Sequence, residues 1–199
     1  EMLIFGRAVA RSAKSALVVL DMPFGSYEVS PTQAVENGIK AMKESGAAAL
    51  KIEGARAEQI KALVDAGIPV MGHVGFTPQS VHALGGFKVQ GRGDGADAVL
   101  QDCLAIQAAG AFAVVLEMVP ADLAEKITKE LTIPTIGIGA GNKTDAQILV
   151  WTDFAGLGEK SPSFAKQYLN LRQSLHDAAS SYRSEVASGE FPTTEQSFS

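Results

Sequence analysis

The sequence contains a single cysteine, Cys103, among its 199 residues, so no intrachain disulfide can form. This excludes a disulfide-stapled secreted scaffold and fits a reducing compartment, and we therefore expect a cytoplasmic protein. The surrounding stretch "AVLQDCLAIQAAG" has helical periodicity. We interpret the thiol as a small core side chain rather than a nucleophile.

The chain also lacks a basic tract and a long apolar run. Its formal net charge is −5, which argues against a nucleic-acid partner. No apolar stretch reaches the about 20 residues that a membrane-spanning helix needs, so we expect no membrane partner. There is no linker, low-complexity segment or internal boundary, and the 46% hydrophobic fraction suits one globular domain.

What the sequence does contain is an alternation of helix-like segments and short apolar runs rich in β-branched residues. Nearly continuous apolar runs predict strands that are buried on both faces of a parallel sheet. The strand candidates are residues 16–22, 48–54, 68–75, 112–119 and 134–141, with a weaker sixth at 148–153.

Several helices carry recognisable end signals. Ser30, Pro31 and Gln33 predict an N-cap, a first helical residue and a capping box, and Gly46 predicts the end of that helix. Thr77, Pro78 and Gln79 repeat the same pattern and predict a second capped helix. The stretch from about 162 to 188 predicts an amphipathic helix.

Strand–helix alternation leaves two architectures, an open doubly wound sheet or a (β/α)₈ barrel. The strand count favours the open sheet, because a barrel needs eight strands and roughly 250 residues. The polar residues favour the barrel, because four different strand candidates end in them, and barrel active sites draw on several strand ends. The residues are Asp21, Lys51 with Glu53, His73 and Glu117.

Lys51 and Glu53 are two residues apart, so in a strand both face the same side. Near a barrel mouth the ammonium could neutralise an anionic substrate and the carboxylate could support a metal. Together with Glu53, Asp21 in "DMPFGSY" offers the hard oxygen ligands that suit Mg²⁺. The alternatives are a structural ion pair for Lys51 and Glu53, and a turn-capping role for Asp21.

His73 and Glu117 also allow two interpretations each. A lone histidine on an apolar strand is typical of a core or supporting residue rather than a catalytic one. Glu117 follows "FAVVL", which makes it a candidate general base in a partly apolar pocket. It could instead cap the next helix.

Two glycine-rich stretches complete the set of candidates. "GIGAG" (137–141) could be a phosphate-binding turn or a tight strand exit. "GGFKVQGRGD" (85–94) contains Lys88 and Arg92 in a segment without periodicity, which is typical of a loop that binds or covers something. A solvated connection is the alternative.

These motifs resemble the ketopantoate hydroxymethyltransferase family. "DMPFGSY", "KIEG", "GHVGFTPQSV", "LGGFKVQGRGD", "LEMVP", "IPTIGIGAG" and "QILVW" occur in that family's order and near its spacing. "GFTPQSV" followed by "GGFKVQGRGD" is the most specific combination.

The resemblance implies a (β/α)₈ barrel related to the phosphoenolpyruvate mutase and isocitrate lyase group, assembled as a homodecamer. It implies Mg²⁺, and transfer of a hydroxymethyl group from 5,10-methylenetetrahydrofolate to 3-methyl-2-oxobutanoate, a step toward pantothenate and coenzyme A. By position, Asp21 matches a metal ligand of the family that also touches the substrate. Lys51 matches the lysine that holds the keto acid, and Glu53 matches a carboxylate at the metal. Glu117 matches the proposed base, and His73 a histidine near the substrate.

The sequence departs from the family pattern in places. The family has two further βα units before "ALVVLD", and the second ends in Gly-Asp-Ser, which supplies another metal aspartate and a serine. We therefore expect residues 1–199 to be a single barrel domain that is incomplete at its N-terminus by about 60 residues. Smaller departures are a shorter connection after "KIEG", Ala146 in place of glycine and Gln196 in place of histidine.

Two other functions stay open at this point. One is a Mg²⁺-dependent carbon–carbon lyase acting on another 2-oxo acid without folate. The other is a non-catalytic paralogue that serves as an assembly subunit, although the retained Asp21, Lys51, Glu53 and Glu117 argue against it.

Overall fold

The computed structural model describes residues 1–198. The chain divides into two compact units, Glu1–Ile148 and the residues from Leu149 onward. The first unit contains all the strands and every predicted site residue. The single barrel domain expected over residues 1–199 stays a prediction.

The first unit is built on a six-stranded sheet in which every neighbouring pair is parallel. The spatial order follows the chain order, without the reversal that marks an open doubly wound sheet. This order is that of a (β/α) barrel wall, so the predicted barrel class is confirmed. The strands are β1 Val19–Asp21, β2 Ala49–Lys51, β3 Val70–Gly75, β4 Ala113–Glu117, β5 Thr135–Ile138 and β6 Ala146–Gln147.

Each of the first five strands lies within the segment predicted for it, but the sixth does not. The apolar stretch 148–153 was predicted as a strand, which is wrong: its residues from Trp151 onward form a short helix. The sixth strand is instead the two exposed residues Ala146 and Gln147, paired with β5. A short exposed edge strand needs no apolar pattern, so the sequence carried no signal for it.

Within the first unit, helices join the strands and cover the sheet. Ser30 caps α2, because its hydroxyl accepts the backbone N–H of Gln33, and Gly46 ends that helix in the left-handed conformation, as predicted. The predicted capping box is wrong, because the Gln33 side chain accepts the backbone N–H of Val29 at 3.0 Å instead of that of Ser30. The helices are α1 Met2–Ser12, α2 Pro31–Ser45, α3 Ala57–Asp65, α4 Gly95–Ala108, α5 Ala121–Glu130, α6 Trp151–Phe154 and α7 Leu171–Ser188. Short 3₁₀ turns occur at Pro78–Ser80 and Thr194–Gln196.

Two helix predictions need correction. The predicted capped helix at Thr77 is wrong, since only the 3₁₀ turn Pro78–Ser80 forms and the Thr77 side chain makes no capping bond. In the second unit the predicted helix at 162–188 is present only as α7, Leu171–Ser188. Within residues 1–198 no helix is both long and apolar enough to cross a membrane.

The core lies between the sheet and its covering helices. Leu50, Val70, Val114 and Leu116 on neighbouring strands are fully buried, and Ile106 of α4 packs against Gly72 of β3. Cys103 is buried in this core, and burial raises the pKa of its thiol to about 12, in agreement with the predicted structural role. Because the strands are parallel, their carboxyl ends all meet at one edge of this core.

Candidate active site

Asp21 and Lys51 are direct partners in the parallel ladder between β1 and β2. The Lys51 Nζ lies 2.9 Å from Asp21 Oδ1, which is an ion-pair distance. The Asp21 side chain remains 43% exposed, whereas that of Lys51 is mostly buried at 15%. The strand register therefore places one accessible carboxylate beside a shielded ammonium group.

Glu53 lies two residues beyond Lys51, just after β2, and is 6% exposed. Its Oε2 accepts the backbone N–H of Gln79 at 2.9 Å, and its Oε1 lies 3.8 Å from Lys51 Nζ. Burial raises the pKa of the Glu53 carboxyl, and the hydrogen bond from Gln79 opposes that rise. The sequence prediction that Lys51 and Glu53 share one space agrees with this geometry.

His73 of β3 connects Lys51 to Glu117. Its Nδ1 lies 3.1 Å from Lys51 Nζ, and its Nε2 lies 3.3 Å from Glu117 Oε2. An ammonium group can only donate, so Nδ1 is the acceptor and the proton of the neutral imidazole is on Nε2. His73 thus presents an N–H group to the Glu117 carboxylate.

Glu117 is the last residue of β4 and pairs with Gly75 in the ladder between β3 and β4. Its backbone carbonyl accepts the N–H of Phe76 at 2.8 Å, so the exits of the two strands are joined. Met118 follows with φ of 49°, the one non-glycine residue with positive φ among residues 1–198. Such strained backbone is found preferentially at functional sites.

We name Asp21, Lys51, Glu53, His73 and Glu117 the strand-end cluster. Three carboxylates stand here against one ammonium group, so the cluster has an excess of negative charge that a divalent cation would balance. Two buried atoms of the cluster, Asp21 Oδ1 and His73 Nε2, have ion-pair contacts within residues 1–198, to Lys51 at 2.9 Å and to Glu117 at 3.3 Å, but no well-aligned hydrogen bond. The hydrogen-bonding capacity of these two atoms is therefore incompletely used, which is uncommon for buried polar atoms.

The carboxylates of the strand-end cluster suit Mg²⁺. Mg²⁺ usually takes one or two protein carboxylates and keeps its other positions for water and substrate. Asp21 and Glu53 provide two such carboxylates on either side of Lys51. No group of three or more His, Cys, Asp or Glu side chains within residues 1–198 is arranged to hold a metal alone.

Two residues at this site were not predicted from the sequence. The Tyr27 hydroxyl donates to Gln79 Oε1 at 2.7 Å and accepts the backbone N–H of Glu53 at 3.1 Å. Burial raises the pKa of Tyr27 well above its ordinary range, which keeps the hydroxyl protonated as a donor. The only sequence signal was a tyrosine at the end of the polar turn "DMPFGSY".

Neither glycine-rich stretch supplies a member of the strand-end cluster, although the segment 85–94 lies against the loops that carry it. In the segment 85–94, the backbone N–H of Gln90 donates to the Met118 carbonyl at 3.0 Å. The Phe87 ring packs against the Phe76 ring, with 4.9 Å between the two ring centroids. A cavity of about 420 Å³ lies between Arg92 and Lys126, and no member of the strand-end cluster lines it. "GIGAG" forms the end of β5, with Gly139 and Gly141 at positive φ.

Comparison with known proteins decides the family. The sequence profile described as ketopantoate hydroxymethyltransferase matches residues 1–194. The chain belongs to the ketopantoate hydroxymethyltransferase family. The family predicted from the motifs is thereby confirmed.

Individual relatives agree with this assignment. The chain is 58% identical to 3-methyl-2-oxobutanoate hydroxymethyltransferase of Acidothermus cellulolyticus, covering 100% of this chain and 74% of the relative. It is 59% identical to the enzyme of the same name from Leifsonia xyli, covering 100% of this chain and 73% of the relative.

Solved structures show the fold. 2,3-Dimethylmalate lyase, a member of the phosphoenolpyruvate mutase and isocitrate lyase superfamily, superposes with a TM-score of 0.57 at 14% identity, over 99% of this chain and 70% of that one. Phosphonopyruvate hydrolase, solved with oxalate and Mg²⁺, gives 0.52 at 16% identity, over 98% and 73%. These superpositions agree with the predicted barrel fold.

Proposed function

We propose that the chain transfers a hydroxymethyl group from 5,10-methylenetetrahydrofolate to 3-methyl-2-oxobutanoate, giving 2-dehydropantoate. The observation that carries the proposal is the continuous contact from Asp21 through Lys51 and His73 to Glu117, at the strand ends of a ketopantoate hydroxymethyltransferase barrel. It provides an anion-binding group, a carboxylate base and candidate metal ligands within one site.

Mg²⁺ is the proposed metal, and Asp21 and Glu53 would hold it. When bound, Mg²⁺ supplies Lewis-acid polarisation of the 2-oxo group and so makes the proton on the neighbouring carbon more acidic. The exposed carboxylate of Asp21 and the Oε1 of Glu53, which does not accept the Gln79 N–H, are the oxygens that support this role. A superfamily neighbour solved with oxalate and Mg²⁺ agrees with it.

Lys51 is proposed to hold the keto acid. Its ammonium has three N–H groups, and Asp21 and His73 face only two of them, which leaves a donor for a substrate oxygen. As negative charge develops on the substrate, the fixed ammonium in a shielded site stabilises it without reorganisation.

Glu117 is proposed to be the general base. Its carboxylate would accept the C3 proton of 3-methyl-2-oxobutanoate, and the C–H electron pair would become the enolate. That carbon then bonds to the methylene carbon of the folate, whose two carbon–nitrogen bonds break. Water supplies the hydroxyl group of the product, and tetrahydrofolate leaves with the proton from C3 and the remaining proton of the water on its nitrogens. A positioned base typically contributes about 10²–10⁴ in rate. The His73 Nε2–H group beside Glu117 would orient the carboxylate.

The decisive experiment measures 2-dehydropantoate formation by the purified chain with Mg²⁺, 3-methyl-2-oxobutanoate and 5,10-methylenetetrahydrofolate. We expect turnover that requires all three, and loss of Mg²⁺ binding and most activity in Asp21→Ala. Turnover without any folate would instead favour the lyase alternative. Unchanged Mg²⁺ affinity in Asp21→Ala would remove Asp21 from the site.

We also propose, from the family resemblance, that the chain assembles as a homodecamer in the cytoplasm. Light scattering of the purified chain gives the mass of the assembly. A monomer at micromolar concentration would contradict the proposed assembly.

A further inference from the structure

We propose that Tyr27 and Gln79 are positioning residues that fix the Glu53 carboxylate in the orientation needed to hold the metal. The inference rests on the proposed function, since it concerns the same site. Neither residue belongs to the strand-end cluster. They act on it through a closed circuit of hydrogen bonds.

The circuit begins and ends at Glu53. The Glu53 backbone N–H donates to the Tyr27 hydroxyl at 3.1 Å, and that hydroxyl donates to Gln79 Oε1 at 2.7 Å. The Gln79 backbone N–H then donates to Glu53 Oε2 at 2.9 Å. The main chain of Glu53 is thus connected to its own carboxylate through the Tyr27 side chain and through Gln79, whose side chain accepts and whose backbone donates.

Gln79 has a further attachment that ties the circuit to β1. Its Nε2 donates to the Met22 carbonyl at 2.9 Å, one residue after Asp21. Gln79 therefore connects the exit of β1, which carries Asp21, to the exit of β2, which carries Glu53. The two candidate metal ligands are held relative to each other by this one glutamine.

Two residues of the circuit are buried, so its hydrogen bonds determine how the Glu53 carboxylate is oriented. Tyr27 is 1% exposed and Glu53 is 6% exposed, so water cannot replace a lost partner without cost. Because Oε2 is committed to the Gln79 N–H, the other oxygen, Oε1, is the one that faces Lys51 and His73, at 3.8 Å from each. The circuit therefore selects which carboxylate oxygen is presented to a ligand.

Two variants remove different parts of the circuit. Tyr27→Phe removes the hydroxyl that joins Glu53 N–H to Gln79, and Gln79→Met removes both side-chain bonds of Gln79 but keeps its backbone donor. Gln79 is only partly buried, so its variant tests the proposal even where Tyr27→Phe lowers stability. Tyr182→Phe and Gln101→Met are matched controls, since both residues are exposed and neither hydrogen-bonds to a residue of the circuit within residues 1–198.

The experiment titrates Mn²⁺ into the full chain with 3-methyl-2-oxobutanoate and follows free Mn²⁺ by electron paramagnetic resonance. Mutation of a residue that orients a metal ligand typically lowers metal affinity by about 10–100-fold. We therefore expect at least about 10-fold weaker Mn²⁺ binding in Tyr27→Phe and Gln79→Met. Both controls should bind Mn²⁺ as the wild type does. Thermal unfolding curves establish that the variants are folded.

Combination with Glu53→Gln tests whether Tyr27 acts through Glu53. If Tyr27 acts through Glu53, adding Tyr27→Phe to Glu53→Gln changes Mn²⁺ affinity by less than about 2-fold, because the carboxylate that Tyr27 positions is already absent. An equal loss in both backgrounds would overturn the proposal, and so would wild-type affinity in Tyr27→Phe. Tight Mn²⁺ binding with this coupling but no hydroxymethyl transfer would overturn only the proposed function, whereas no Mn²⁺ binding by the wild type overturns both.

Discussion

His73 Nδ1 lies 3.1 Å from Lys51 Nζ, and this contact sets the direction of hydrogen bonding across the strand-end cluster. Because the ammonium group must donate, the imidazole presents its Nε2–H to Glu117, 3.3 Å away. Lys51 thus influences both ends of the cluster, the substrate side through its charge and the base side through His73.

Lys51→Ala should mainly weaken binding of the keto acid. A charge-assisted hydrogen bond is worth about 1.5–3 kcal/mol, so we expect KM for 3-methyl-2-oxobutanoate to rise about 10–100-fold, with a smaller change in kcat. Steady-state kinetics measures both constants. Lys61→Ala is the control, because Lys61 is exposed and pairs with Asp65 on the same helix. A Lys51→Ala enzyme with unchanged KM would exclude Lys51 from substrate binding.

Glu53→Gln should make the metal-free protein more stable at neutral pH. Burial raises the pKa of the Glu53 carboxyl, so the folded state holds this proton more tightly than the unfolded state does. The stability that the group contributes is therefore fully present below the unfolded pKa of about 4.3, and it is lost as pH rises through the folded value. Glutamine has no charge to desolvate and avoids this loss.

Urea unfolding of the metal-free proteins between pH 4 and 7.5 measures this difference. The free energy of unfolding of Glu53→Gln should exceed that of the wild type at pH 7.5, and the gap should narrow toward pH 4. Glu36→Gln, an exposed site, should show no such trend. A Glu53→Gln protein that is less stable than the wild type by the same amount at every pH would contradict burial of the Glu53 charge as the cause of the difference.

Gly75→Ala should destabilise the protein strongly and displace Glu117. Gly75 has φ of +91°, and a Cβ there would collide with the carbonyl oxygen of Glu117. We expect a loss of about 3 kcal/mol in the free energy of unfolding, from backbone strain and overpacking together. Gly86→Ala shares the positive φ of +101° but has open space, so it should lose only about 1 kcal/mol. Equal losses of unfolding free energy in the two variants, measured with urea, would show that the collision at position 75 is relieved.

The strand-end cluster could be predicted because its members follow a rule of the fold. Asp21, Lys51 and Glu117 end their strands, Glu53 follows β2, and His73 lies near the end of β3. The carboxyl ends of parallel strands meet at one edge, so polar residues at these positions are predicted to lie together.

Tyr27 and Gln79 could not be found in this way. Gln79 stands in "TPQSV", which has the local pattern of a helix N-terminus, so it was interpreted as a capping residue. In the structure its partners are Tyr27 and Met22, 52 and 57 residues away in the chain. A side chain whose partners lie in a loop this far away in the chain leaves no periodicity in the sequence, so only the fold shows its role.

Exchange of the C3 deuteron of 3-methyl-2-oxobutanoate into water tests the central claim most directly. Without folate, the wild type with Mg²⁺ should catalyse this exchange, because removal of the C3 proton needs only the base and the polarised keto acid. Glu117→Gln keeps the size of the side chain but removes the base, so we expect exchange to fall by about 10²–10⁴. Exchange by Glu117→Gln at the wild-type rate would contradict the assignment of Glu117 as the base.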